Sequence, residues 1–351
     1  MPENSSNHRS KKMAKETEKI VRFGIIGCGG IAKGKHLREL EPVKEACIIA
    51  CSDISEAAVK SFATLCGAEK WYTDYHEMLQ RDDIDAVIVS TPHPLHSPIG
   101  CDVLSAGKHL LVQKPMATKN EDATRLLEAE KKSGKIVLAL PYMYDRTFVK
   151  MQELLEKEII GQVTMVRSRV AHGINPGPSS WFAQKAVAEG GALYDMGVYA
   201  AWRLVTLLGS VKKVSAMMNT CDPRVDVEKN AILALEFANG AIGVLETSWQ
   251  QKASLDGEVF YGLEGTIHAG GGPLRVYARH DPKVNEFSWK EVSLPESIPM
   301  STNPHQQFVD AILRGAPALS TVTRGRHIVE ILRAGYESYE IGRTIELSTT
   351  C

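Results

Sequence analysis

The chain is 351 residues long, more than one ordinary hydrophobic core accommodates, so two domains are expected. Its 41 lysines and arginines balance 42 aspartates and glutamates for a net charge of −1, which argues against a surface that neutralises many phosphates, and so against nucleic acid as a partner. Hydrophobic residues at 44% and charged residues at 24% fit a soluble globular protein, and no run reaches the roughly 18 consecutive apolar residues of a membrane span.

Residues 1–19 are polar and basic, with Ser10-Lys11-Lys12 and no apolar stretch. They read as a flexible tail, not a secretory signal, and Met13 offers a second, more compact start. Residues 20–26 form a short apolar run that stops at glycines, a buried strand. A helical pattern leads to a second buried run at 46–51, followed by Asp53. A helix over 55–66 carries Ala57, Ala58, Phe62 and Leu65 near one face. Runs at 86–90, 109–112 and 135–140 read as further strands, separated by helical stretches near 74–81, 94–106 and 119–133. Short apolar strands alternating with helices require right-handed crossovers and a parallel sheet covered on both faces. Residues 20–143 are therefore expected to form a doubly wound α/β domain of the Rossmann type.

The rhythm then changes. A helix over 147–157 leads past Gly161 into a strand at 162–171, and strand-like runs follow at 211–219, 231–237, 241–250 and 257–269. Strands in succession without helices predict an α+β domain over 144–351, built on an open, mostly antiparallel sheet with one face exposed. Asn239-Gly240 signals a two-residue hairpin, and a long helix at 323–342 closes the chain. An exposed sheet face pairs readily with its own counterpart, so a homodimer or homotetramer is expected. The seven cysteines are odd in number and lack Cys-x-x-Cys spacing. They read as small buried thiols in a reducing, cytoplasmic compartment.

Gly27-Cys28-Gly29-Gly30-Ile31-Ala32 fits the G-x-G-x-x-G/A fingerprint of a dinucleotide site. Gly27 permits the tight turn, Gly29 lets the backbone approach a pyrophosphate, and Ala32 lets helix and strand pack closely. Gly30 and Ile31 complete the turn, where helix N–H groups meet phosphate charge. Asp53, about twenty residues on, is the acid expected on the adenosine ribose hydroxyls. Its carboxylate repels a 2′-phosphate and no arginine follows it, so NAD is favoured, with NADP possible. An N-cap for helix 55–66 is the other reading of Asp53. Ser90, Thr91, Pro92, His93 and His96 lie just past a strand's carboxyl end, where open α/β sheets bind ligands, and are assigned to the cofactor. His93 and His96 are three apart, but no third ligand shows matching spacing, so no metal is expected. Gln113, Lys114 and Pro115 follow a strand on the same side of the sheet. In the run 190–199, Asp195 and Tyr199 are four apart and share a helix face.

Together these segments resemble the Gfo/Idh/MocA oxidoreductases over nearly all of 20–348. The resemblance rests on the glycine turn, Thr91-Pro92…His96, Gly107-Lys108-His109, Lys114-Pro115, the Gly190–Tyr199 segment, Phe237-Ala238-Asn239-Gly240 and Ser338–Gly342. It implies a substrate-carrying second domain with an open sheet, a nicotinamide beside Gln113 and Lys114, and catalytic or substrate-orienting roles for Lys114, Asp195 and Tyr199. Two departures stand out. The family usually has Glu where this chain has Gln113, an amide that cannot hold an ammonium by charge. The last motif position is Tyr199 and not His, as in the glucose–fructose oxidoreductase and dihydrodiol dehydrogenase branch, where that tyrosine is the proposed acid/base.

The implied reaction is reversible oxidation of a secondary alcohol on a small carbohydrate, polyol or glycoside, with either Tyr199 or Lys114 moving the proton. Arg167, Arg169 and His172 are candidate sugar-hydroxyl ligands, with surface charge as the alternative. Trp181, Phe182, Trp202 and Trp249 could stack on a sugar or fill a core. Two other classes stay open: an NAD-dependent glycosidase or lyase working through a transient 3-keto sugar, and a non-catalytic cofactor-binding protein that Gln113 keeps in view.

Overall fold

The computed structural model describes residues 19–139, 144–173, 176–252, 256–279, 286–297, 302–317 and 320–351. The tail expected over 1–19 lies outside these residues apart from Lys19.

Six strands form the first sheet: β1 (Val21–Ile26), β2 (Ala46–Ser52), β3 (Lys70–Tyr72), β4 (Ala86–Val89), β5 (His109–Val112) and β6 (Val137–Ala139). They run in parallel in the order β3-β2-β1-β4-β5-β6. Successive residues feed opposite cores, because side chains alternate across a strand. Phe23 and Ile25 pack with Val59 and Phe62, while Ile26, Val87 and Val89 pack with Met78, Val103 and Leu126. The sheet is thus covered on both faces, as expected. The helices are α1 (Leu37–Leu40), α2 (Glu56–Cys66), α3 (Tyr75–Leu79), α4 (His96–Ser105) and α5 (Asn120–Ser133). On α2 the buried residues are Val59, Phe62 and Ala63, whereas Leu65 is 61% exposed. Strand order reverses between β1 and β4, which opens a crevice at their carboxyl ends.

A second sheet of nine strands runs β14-β13-β12-β11-β7-β10-β9-β8-β15. Its strands are β7 (Val163–Ala171), β8 (Val211–Asn219), β9 (Asn230–Phe237), β10 (Ile242–Ser248), β11 (Gly257–Gly262), β12 (Gly265–Gly270), β13 (Arg275–Arg279), β14 (Phe287–Glu291) and β15 (Ile345–Glu346). Every pairing is antiparallel except β7 with β10. The run expected as one strand at 257–269 is a hairpin, turning at Leu263-Glu264 between paired Gly262 and Gly265. A Cβ at Gly262 would lie 2.1 Å from the Ile160 carbonyl oxygen, and one at Gly265 would lie 2.2 Å from that of Tyr277. The Asn239-Gly240 hairpin also differs from expectation. Phe237 N–H closes on Ala241 O at 2.8 Å, leaving a loop of 238–240 with Gly240 at φ 89°, the three-residue form with a left-handed glycine.

Helices α6 (Arg146–Glu156) and α8 (Val198–Leu208) cover one face of this sheet; α7 (Lys185–Ala188) is a single short turn. Phe148, Trp202, Phe237 and Phe260 fill the core beneath them. Among the described residues the other face is bare, with Met217 78% exposed and Ile232 and Ile242 exposed beside it. α9 (Pro304–Arg314) returns to the first sheet, where Phe308 meets Phe23 with ring centroids 6.0 Å apart. α10 (Val322–Ile341) packs on both α5 and β8. The cysteines divide: Cys28 and Cys51 are buried, Cys66 and Cys101 half-buried, and Cys47, Cys221 and Cys351 exposed, so the buried-thiol reading fails for the last three. Among the described residues no helix is long and apolar enough to cross a membrane.

Candidate active site

The crevice begins at the turn after β1. Gly27 has φ 93°, and a Cβ there would sit 2.7 Å from the Ser90 carbonyl. Glycine is required both by the left-handed backbone and by the approach of β4. Gly29 and Gly30 have nothing within 4 Å of a Cβ position, which leaves open space above their amides. Ala32 is fully buried and begins a π-helical turn, Ala32–His36, that runs into α1. Asp53 Oδ2 accepts from Cys28 N–H at 2.8 Å and Oδ1 from Ser55 N–H at 2.9 Å. The cap of α2 is Ser55, whose Oγ accepts from Ala58 N–H at 3.3 Å, and not Asp53. Asp53 instead braces the glycine turn and carries its charge at the crevice edge, beside Ile54 at 96% exposure. An uncovered glycine cradle with a carboxylate fixed at the end of the adjacent strand fits a dinucleotide with free ribose hydroxyls.

The loop after β4 is more structural than expected. Ser90 Oγ donates to Gly27 O at 2.8 Å, tying two strand ends together. His96 is fully buried, with ring nitrogens 2.7 Å from Pro115 O and 2.6 Å from Thr91 O. It clamps the β4 loop to the β5 loop and does not face the crevice. With both nitrogens so used, it is no metal ligand either. Pro92 precedes a 3₁₀ turn, His93–Leu95. Thr91 Oγ1 and His93 Nδ1 are buried without a hydrogen-bond partner among the described residues. His93 meets Trp181 and Phe182 edge-on at 5.0 and 5.5 Å, and those two rings stack at 3.8 Å.

Gln113, Lys114 and Pro115 follow β5. Gln113 Oε1 accepts its neighbour's backbone, Lys114 N–H, at 2.8 Å, so the amide does not serve the ammonium. Lys114 Nζ reaches across to the second domain, 2.7 Å from both Asp195 Oδ1 and Asp195 O, and lies 4.9 Å from the centre of the Tyr199 ring. Asp195 Oδ2 accepts from Trp249 Nε1 at 2.9 Å. Burial pulls the Lys114 pKa down, but Tyr199 and Asp195 outweigh it and leave it above the ordinary lysine value. Asp195 thus supplies the countercharge that Gln113 cannot.

The segment carrying Asp195 is held from below. Residues Leu193–Gly197 form a π-helical turn that runs into α8, and Tyr194 OH donates to Thr118 O at 2.6 Å, across to the first domain. A buried carboxylate, Glu228, accepts from Gly191 N–H at 2.9 Å, Leu193 N–H at 2.8 Å and Tyr336 OH at 2.9 Å. Burial raises its pKa, and these donors oppose that pull. The two glycines before Asp195 are steric necessities: a Cβ would lie 2.2 Å from Tyr336 OH at Gly190 and 2.0 Å from Glu228 O at Gly191.

Lys114, Asp195 and Tyr199 therefore converge, whereas the strand candidates divide. On β7, Val166, Ser168 and Val170 face the helices, which turns Arg167 and Arg169 onto the bare face, away from Lys114. Arg167 does not join the cluster. His172 follows the paired Val170–Thr247 and Ala171–Ser248 by one step, which puts it on the side of Trp249 and Asp195. Trp202 is core, 5.3 Å from Phe148. Trp249, read as a sugar-stacking or core ring, instead holds Asp195, and Glu228 was missed as a site residue. A charged pair, Glu228-Lys229, entering an apolar strand was the available signal for the second.

Residues 21–140 match the family model described as an oxidoreductase family with NAD-binding Rossmann fold, and residues 148–268 match the GFO/IDH/MocA C-terminal domain. The chain is 32% identical to dTDP-3,4-didehydro-2,6-dideoxy-alpha-D-glucose 3-reductase of Streptomyces violaceoruber over 88% of each chain. It is 27% identical to myo-inositol 2-dehydrogenase of Thermotoga maritima over 74% of this chain and 75% of that one. Its fold is similar to that of a levoglucosan dehydrogenase solved with NADH and levoglucosan, at TM-score 0.84 or 0.83 across its ligand states, 22% identity, and coverage of 94% and 100%.

Proposed function

The chain belongs to the GFO/IDH/MocA oxidoreductase family, and from that membership we propose that it reversibly oxidises a secondary alcohol of a sugar, polyol or glycoside. It is an NAD-dependent oxidoreductase acting on CH–OH groups. NAD, when bound, supplies the hydride acceptor. Gly27, Gly29 and Gly30 would hold its pyrophosphate and Asp53 its adenosine ribose.

The observation that carries the reading is the buried Lys114 ammonium, fixed by Asp195 and lying against the Tyr199 ring. Asp195 has both oxygens engaged, so its role is to orient Lys114 and not to take the proton. Tyr199 receives the substrate's hydroxyl proton while the neighbouring ammonium stabilises the phenolate that results. The reverse transfer returns that proton when a ketone is reduced. His172 lies on the same side and is assigned to substrate hydroxyls. The stacked Trp181 and Phe182, half-exposed beside His93, offer a flat apolar wall for one face of a sugar ring. The names of the relatives, an inositol dehydrogenase and a deoxysugar reductase, agree with that substrate class. Assembly as a cytoplasmic homodimer or homotetramer belongs to the same proposal.

A panel of sugars, polyols and glycosides incubated with NAD, followed for both NADH and organic product, tests this. A ketone formed in step with NADH is the expected result. Cleaved or eliminated product without NADH would move the assignment to the transient 3-keto route. Neither product nor NADH with any member, at saturating NAD, would overturn it.

A further inference from the structure

Trp249 follows the last residue of β10 and falls on the same side of the sheet as Leu245 and Thr247, the side of the Asp195 turn. Its ring is fully buried. Ala192, Val227, Phe182 and Met196 enclose it, with Phe182 edge-on at 6.5 Å. The backbone is fixed as well, since Trp249 N–H donates to Lys229 O at 2.9 Å. Two residues earlier, Thr247 Oγ1 donates to Ala192 O at 3.4 Å, so β10 grips the turn on both sides of Ser248.

The indole meets one half of a divided carboxylate. Asp195 Oδ1 lies 2.7 Å from Lys114 Nζ, and Oδ2 accepts from Trp249 Nε1 at 2.9 Å. With a partner on each oxygen, the carboxylate plane cannot turn about its own bond without losing one of them. An indole N–H is also a donor without charge or lone pair. It occupies Oδ2 yet leaves the whole negative charge to the ammonium, where a lysine or arginine at 249 would compete with Lys114 for it. Nor does it titrate, so the hold on Oδ2 is the same at every working pH.

We propose that Trp249 is a positioning residue whose indole N–H, acting through Asp195, selects the proton acceptor of the reaction. It keeps Oδ1 on Lys114 and denies Oδ2 to the substrate hydroxyl, which leaves that proton to Tyr199. This inference rests on the alcohol oxidation assigned above. It adds a requirement that the assignment does not contain: the N–H itself, and not the bulk of the ring, sustains turnover.

Two replacements at 249 in the full chain separate those contributions. Trp249→Phe removes the donor and part of the ring. Benzothienylalanine, introduced at a stop codon, keeps the bicyclic shape and puts sulfur in place of the N–H. With NAD and the best substrate of the panel, kcat should fall roughly tenfold or more in both, the scale of a lost hydrogen bond to a charged acceptor, while KM for NAD stays within a few-fold. Wild-type kcat in the benzothienyl variant would overturn the proposal, because the ring would then only fill space. Lys114→Met would still abolish turnover in that case, so the assigned reaction would stand. A second readout needs no turnover. In the NADH-bound protein, the indole ¹⁵N–¹H resonance that disappears in Trp249→Phe should lie downfield and move upfield in Asp195→Ala. A resonance that Asp195→Ala leaves in place would overturn the proposal whatever the kinetics.

Discussion

Glu228→Gln swaps an oxygen for an amide beneath the turn that carries Asp195. The carboxylate now satisfies three donors: Gly191 N–H at both oxygens (2.9 and 3.1 Å), and Leu193 N–H and Tyr336 OH at Oε1 (2.8 and 2.9 Å). In the amide, the remaining oxygen can keep Leu193 and Tyr336 but holds Gly191 N–H only at the longer 3.1 Å contact, while the new NH₂ group faces that N–H, donor against donor. A buried donor set against another donor costs up to the roughly 1–3 kcal/mol of an unpaired one, and hydrogen bonds to a charged acceptor weaken when the charge is removed. Removing the carboxylate's own desolvation penalty offsets part of this, so a net loss of about 2 kcal/mol is expected. Glu228→Ala strands all three donors and opens a cavity, for about 4 kcal/mol or more. Urea unfolding followed by circular dichroism measures both, and steady-state kinetics should show kcat falling with KM for NAD nearly unchanged, since the turn positions Asp195 and not the glycine loop. A loss under about 1 kcal/mol in Glu228→Ala would refute the view that this carboxylate holds the turn.

His327 is fully buried, accepting from Val211 N–H at 2.9 Å and paired with Thr349 Oγ1 at 2.8 Å; burial lowers its pKa to about 4 from 6.5. A depressed histidine contributes stability that is present above pH 6.5 and lost as pH falls toward 4, on the order of 3 kcal/mol at most. His327→Gln should flatten that acid loss in unfolding curves taken between pH 7 and 4, and an unchanged slope would show that other groups set it. Asp53→Asn should lower the NAD-to-NADP ratio of kcat/KM by roughly tenfold, the scale of a charge repulsion near solvent; an unchanged ratio would remove Asp53 from cofactor selection.

The first sheet was largely legible because its strands are short apolar runs stopped by glycine or polar residues. β5 of that sheet falls where the pattern put it, as does β8 of the second. β3 was not, since it is an edge strand whose Lys70 and Trp71 are exposed and show no apolar run. The β11–β12 hairpin was hidden because Leu263-Glu264 is not turn chemistry, and the need for Gly262 and Gly265 comes from distant backbone. α9 went unread although Phe308, Val309 and Ile312 form an apolar stripe at helical spacing; its buried face also includes His305 and Gln307. At the site, spacing put Asp195 and Tyr199 on one helix face, and the family resemblance added Lys114 to them. Trp249 and Glu228 reach Asp195 and its turn through strand register and loop closure, which local pattern does not encode. The placement of Arg167 was open to correction from sequence alone. A two-residue period puts 167 and 172 on opposite faces of one strand, so both could not line the same crevice.

The most direct test is Lys114→Met, assayed for turnover with the best member of the substrate panel and for NADH affinity by fluorescence. Turnover reduced by about a thousandfold, with NADH affinity within a few-fold of wild type, is the predicted result. Turnover near the wild-type level would contradict the account.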